Sequence, residues 1–135
     1  MVNEIKNKTC AFFGPDFLEV DGIGIYTRWT IEGFIEKYEV SRFLFGSGGD
    51  FERVCYQYMK ESKQRNKHLE LVVLSCESVF DLERMIDKCD LCIFSDMLFK
   101  NRRYFCEGVE IGLVSNKLMY LHEYAKAQNK KILYI

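Results

Sequence analysis

The chain has 135 residues, with 19 Lys and Arg against 20 Asp and Glu for a net charge of −1, and it is 48% hydrophobic and 15% aromatic. That length supports a single domain, 1–135, with a sizeable core. A near-neutral balance and a pI near 6.1 speak against a duplex nucleic-acid binder, which needs surplus cations to displace counterions from phosphates. No apolar run approaches the roughly 20 residues of a membrane helix, and the polar start Met1-Val2-Asn3-Glu4-Ile5-Lys6-Asn7-Lys8 is unlike a secretory signal. The expectation is no membrane partner and a cytoplasmic location.

In chain order, Lys8 to Phe13 is apolar at its centre and stops at Gly14-Pro15-Asp16, which reads as a buried strand and a turn. A loop to about Gly24 follows. Ile31, Phe34, Ile35 and Tyr38 then repeat at helical spacing with Glu32, Glu36 and Lys37 facing away, so Ile25 to about Tyr38 is a helix, weakened by Gly33. Val40 to Phe45 is the second strand.

The next stretch, Gly46-Ser47-Gly48-Gly49-Asp50, is the one with chemical content. Strand, glycine turn, helix is the order in which α/β proteins build an anion site. Glycines let the backbone take positive φ and approach a ligand closely, and the free N–H groups of the following helix face the same point. The natural guest is a phosphate; the alternative is a turn that only reverses the chain. Asp50 is the expected N-cap, and Phe51, Val54, Cys55, Tyr58 and Met59 form the apolar stripe of the helix, which closes in the polar run Glu61 to His68.

Leu69 to Cys76 has a nearly continuous apolar centre, the pattern of a parallel strand buried on both faces. Ser78 to Lys88 is a short helix presenting Phe80, Leu82, Met85 and Ile86, and Leu91 to Phe94 a short strand ending at Ser95-Asp96. Met97 to Val114, with its basic cluster Lys100-Asn101-Arg102-Arg103 and with Gly108 and Gly112, reads as an irregular lid or hairpin. Ser115 is the expected cap of a last helix through about Gln128, with Leu118, Leu121 and Ala125 on its core side, and Ile132 to Ile135 is the closing strand.

Of the six cysteines, Cys10, Cys76 and Cys92 fall in or beside apolar strands and Cys55 on an apolar helix face, as small buried hydrophobes do. Cys89-Asp90-Leu91-Cys92 has the spacing of half a zinc site, but neither His68 nor His122 has a neighbouring Cys to complete it. No metal and no cofactor are expected.

Strands separated by helical stretches of roughly ten to fifteen residues imply right-handed crossovers, hence an α/β fold: a single Rossmann-like three-layer domain with a mainly parallel sheet. Ligands then bind at the carboxyl ends of the strands, where strand order reverses. This rule gathers Gly14, Pro15 and Asp16, Gly46 to Asp50, Cys76 to Ser78, Ser95 and Asp96, and Ser115 and Asn116 onto one rim.

Several pieces resemble the SLOG superfamily, the Rossmann-like fold of cytokinin-activating nucleoside-monophosphate phosphoribohydrolases, nucleotide-signal sensors and small proteins of the YpsA type. They are Thr9-Cys10-Ala11-Phe12-Phe13-Gly14, Phe45-Gly46-Ser47-Gly48-Gly49-Asp50-Phe51-Glu52, Met85 to Phe94 and Glu123-Tyr124-Ala125-Lys126. The resemblance implies a pocket for a nucleotide or nucleotide-derived ligand, its phosphate held by the Gly46 to Asp50 turn. Pro15-Asp16 stands where YpsA-type members have His-Arg, Val114-Ser115-Asn116 where many have a Gly-Gly pair, and the hydrolases' Pro-Gly-Gly-x-Gly-Thr turn is absent.

Two functions follow. One is a sensor or sequestering module for a nucleotide-like small molecule, with Gly14, Pro15, Asp16, Gly46, Ser47, Gly48, Gly49, Asp50, Ser95, Ser115 and Asn116 as binding residues and Trp29, Tyr26 or Tyr104 as base-stacking aromatics. The other is an N-glycosidic hydrolase or transferase, which needs a carboxylate beside an oxocarbenium-like ribosyl centre. Glu52, Asp96 and Glu123 are its candidates, with Asp16 a fourth. The aromatic surplus, 11 Phe and 8 Tyr, also points to a homodimer interface.

Overall fold

A parallel sheet of five strands, in the order β3-β2-β1-β4-β5, organises the chain. The computed structural model describes residues 8–14, 23–95 and 109–135, with side chains for all of these except 23–28 and 109–116. The strands are β1 (Lys8–Phe13), β2 (Val40–Phe45), β3 (Glu70–Val73), β4 (Leu91–Phe94) and β5 (Lys131–Tyr134); the helices are α1 (Ile23–Tyr38), α2 (Gly49–Arg65), α3 (Val79–Asp87) and α4 (Val109–Ala127). All four pairings are parallel, with β1 in the middle, Ala11 against Leu44 of β2 on one side and Cys92 of β4 on the other. This is the Rossmann-like arrangement expected from the alternation of strands and helices.

Alternate side chains of a strand point to opposite faces, and both faces of this sheet are covered. Phe12, Phe43 and Phe45 meet Ile31 of α1 and Phe51, Cys55, Tyr58 and Met59 of α2. On the other face, Ala11, Phe13, Leu44, Cys92 and Phe94 meet Leu82, Met85 and Ile86 of α3 and Leu118, Leu121 and Ala125 of α4. The rings stack as they pack, Phe12 on Phe45 at 5.5 Å and Phe13 on Phe94 at 5.0 Å between centroids. Each such ring contributes about 1.5–3 kcal/mol by leaving water.

Position in the sheet decides burial, and here one expectation fails. β3 was expected to be covered on both faces, but it is an edge strand with Glu70 and Val73 exposed. Phe80, expected on the core side of α3, is also exposed. Gly33 does not interrupt α1, which runs unbroken from Ile23 to Tyr38, and the helix closes through Glu39 at φ 56 straight into β2.

The start of α4 is the largest correction. It begins at Val109, so Ser115 and Asn116 lie inside the helix and Ser115 is no cap. Of the stretch read as a lid or hairpin, residues 97–108 lie outside the described residues and Val109 to Val114 are helical. A lone Gly112 weakens a helix by about 1 kcal/mol, too little to break one of 19 residues anchored by Leu118, Leu121 and Ala125. α3 starts as expected: Ser78 accepts from the Asp81 N–H, and the Asp81 carboxylate accepts from the Ser78 N–H in return.

Candidate functional site

Strand order reverses between β1 and β4, because the crossover from β3 carries the chain past β2 and β1 to the far side. The carboxyl ends of β1, β2 and β4 therefore flank the crevice in which α/β sheets bind ligands. Gly14, Gly46 to Asp50 and Ser95 all follow those strand ends. Ser95 is buried, and its N–H donates to the Phe13 carbonyl at 2.8 Å, which ties the ends of β1 and β4 together.

The glycine turn has the backbone its sequence suggests, with Gly48 at φ 74 and Gly49 at φ 89. Its amides serve a different partner from the expected one. The Glu52 carboxylate folds back from the first turn of α2, and its Oε2 accepts from the N–H groups of Gly46 at 2.9 Å and Ser47 at 2.8 Å and from the Ser47 hydroxyl at 2.6 Å. Its Oε1 accepts from the Gly48 N–H at 2.9 Å. The turn is thus an anion-binding nest filled by the protein's own carboxylate. A phosphate on the amides of Gly46, Ser47 and Gly48 is ruled out as long as Glu52 occupies them.

Glu52 is only 7% exposed, and a buried carboxylate is stable only where charge-assisted hydrogen bonds satisfy it. Four donors do so here. With most of its lone pairs committed, Glu52 is a structural anchor for the turn and poorly placed as a nucleophile or base. Its charge is felt nearby: burial, then the Glu52 carboxylate, push the Cys55 thiol far up.

The other glycines of the rim are there for space. A Cβ on Gly14 would lie 2.2 Å from Cγ of Phe51, so the ring of α2 rests directly on the backbone at the end of β1. A Cβ on Gly46 would lie 2.7 Å from Cys76 Sγ, which brings the ends of β2 and β3 into contact as expected. Asp50 is not the N-cap. Gly48 is, with no side-chain cap bond, and Asp50 sits in the first turn paired with Arg53 at 3.0 Å.

Glu123 lies away from this turn on α4, largely exposed, 3.8 Å from Lys126 and 3.2 Å from Nδ1 of His122. Nothing in the sequence around His122 marks it as a site residue. It is buried, its Nε2 is 2.7 Å from the Tyr134 hydroxyl, and its ring meets Phe94 edge-on. No local pattern joins it to Tyr134; the pairing of β4 with β5 does. Trp29 is exposed rather than packed in the core. Pro15, Asp16, Asp96 and Tyr104 lie outside the described residues, as do the side chains of Tyr26, Ser115 and Asn116.

The Cys89-Asp90-Leu91-Cys92 pair is buried, with Cys89 Sγ donating to the Met85 carbonyl at 3.2 Å. The Cys92 thiol hydrogen-bonded to it, and burial, push the Cys89 thiol far up, and Cys92 itself is fully buried, as structural core thiols are. Among the described residues, no group of three or more His, Cys, Asp or Glu is placed to hold a metal, and no helix is long and apolar enough to cross a membrane.

Sheet order and glycine turn together define a Rossmann-like α/β domain whose strand order reverses between β1 and β4. Comparison of the chain with protein-family models, curated proteins and solved structures finds no match.

Proposed function

We propose that the domain binds a nucleotide or nucleotide-derived small molecule across the carboxyl ends of β1, β2 and β4, as a sensor or sequestering module. The observation that carries this reading is the start of α2: it leaves a positive-φ Gly48-Gly49 turn with no side-chain cap at the carboxyl end of β2, the neighbour of β1. The first N–H groups of a helix have no intrahelical acceptor and form its positive end. With Gly46 to Gly48 engaged by Glu52, the anion site moves one step on, to the first turn of α2.

The internal carboxylate lowers the attraction of this helix end for anions. Base and sugar contacts must therefore supply much of the affinity, so a nucleotide binds where inorganic phosphate alone does not. Binding fits better than glycosidic hydrolysis, because the carboxylate nearest the turn is held by four donors.

Calorimetric titration with nucleoside monophosphates, diphosphates and cyclic dinucleotides tests this. Saturable binding of at least one, weaker for its phosphate-free nucleoside, is expected. No heat from any of them at about millimolar concentration refutes the proposal, and a nucleoside that binds as tightly as its nucleotide refutes the phosphate site.

A further inference from the structure

A second surface lies on the outer side of α2, where its carboxyl-terminal half passes the free edge of β3. A groove of ≈ 300 Å³ runs there, lined by Lys60, Lys63, Gln64, Lys67 and Leu71. Lys60 lies 5.7 Å from the Tyr56 ring centre. None of the three lysines is ion-paired among the described residues, whereas Arg42 and Arg65 close by are matched with Glu70 and Glu32. In a chain of net charge −1, this is an uncompensated row of cations.

Among the described residues, the strand beside them has one neighbour, β2. The Leu74 N–H donates to the Phe45 carbonyl at 2.7 Å, and backbone groups of successive strand residues point alternately to either side. The N–H and C=O groups of Leu71 and Val73 therefore point outward from the sheet. Leu71 packs on the α2 side of the core, so Val73, two residues on and 68% exposed, shares that face.

We propose that the β3 edge and the lysine groove form a docking site for an extended acidic segment of a partner protein, added to the sheet as a further strand. Lys60 and Lys63 lie roughly 4.5 Å apart along the α2 axis and Lys67 stands in the turn beyond the Asn66 C-cap, so all three cations line the groove beside which carboxylates on one face of an added strand would run. The other face of the added strand would run beside Val72 and Leu74, which pack on the α3 side, so apolar residues belong there. Lysines beside an edge discourage uncharged or basic strands. They attract an acidic one.

The test is fluorescence anisotropy of a short dye-labelled peptide of alternating Glu and Val, with a Lys-Val peptide and an oligothymidylate as comparators. The Glu-Val peptide is expected to bind saturably and the Lys-Val peptide not at all. Affinity should fall at least about tenfold in Lys63→Glu/Lys67→Glu and in Val73→Pro, which deletes an outward N–H at an edge position that tolerates proline. It should also fall in about 0.5 M salt. Far-UV circular dichroism confirms that the variants fold; should Val73→Pro not fold, the lysine reversals alone decide. Absent binding, binding indifferent to the lysine reversals or to a folded Val73→Pro, or tighter binding of the oligothymidylate through the same lysines overturns the proposal.

Discussion

Replacing Glu52 by Gln keeps the side chain's volume and exchanges one oxygen for an NH₂ group. If the Gln carbonyl takes the place of Oε2, it keeps the donors from Gly46 and Ser47, but its NH₂ then faces the Gly48 N–H, donor against donor, where 2.9 Å now separates donor and acceptor. Gly48 is exposed, so its N–H turns to water and the loss is that of an ordinary hydrogen bond, about 0.5–1.5 kcal/mol. The three remaining bonds lose their charge assistance, which roughly doubles a hydrogen bond's strength. The flipped amide is worse, since its NH₂ then faces both backbone donors. Together the losses come to about 3 kcal/mol, or a fall in melting temperature of about 10–15 °C for a domain of this size. Urea unfolding followed by circular dichroism gives the difference directly, with an unchanged m-value expected. A loss below about 0.5 kcal/mol would show that the carboxylate does not hold the turn.

Gly14→Ala places a methyl group 2.2 Å from the Phe51 ring; we expect at least about 2 kcal/mol of destabilisation, partly relieved when Phe51 is also made Leu, and wild-type stability in the single variant would disprove the contact. Ser78→Ala should cost about 1 kcal/mol by uncapping α3, seen as an earlier urea midpoint, and an unmoved midpoint would contradict the cap. The N–H groups of Glu77 and Ser78 hold the Asp81 carboxyl below its usual range. Its contribution is therefore complete above the unfolded carboxylate pKa and is lost as pH falls through the lowered folded value; urea midpoints across the acid range should converge for wild type and Asp81→Asn only there. Cys10, Cys55, Cys89 and Cys92 are buried, and burial raises Cys10 and Cys55. Iodoacetamide followed by peptide mass mapping should leave these four unmodified in the native protein and label them in denaturant; rapid native labelling of Cys89 or Cys92 would refute the packing described.

The parallel strands and their helices were legible because each carries its own period. Val40 to Phe45 and Leu91 to Phe94 match their apolar runs, and the short helix read over Ser78 to Lys88 is α3, whose cap at Ser78 the structure adds. The errors lie where a neighbour decides. An apolar run reads the same whether the strand ends up central or at an edge, so β3 was misplaced. Phe80 fits a helical stripe, yet α3 turns it to solvent. Gly112 reads as a breaker in the sequence, which puts the start of α4 too late; the packing of the helix overrides it.

What the sequence determined by itself was the material of the site: a glycine turn at the end of a strand, with a helix beyond it and Glu52 in its first turn. Only the tertiary structure decided whom that turn serves. Positive φ at Gly48 and Gly49 aims the amides inward at Glu52, and Phe51 is pressed onto Gly14 from 37 residues away. A residue's local period is carried by its neighbours in the chain. The partner of a hydrogen-bonding group is settled by which elements the core packs together.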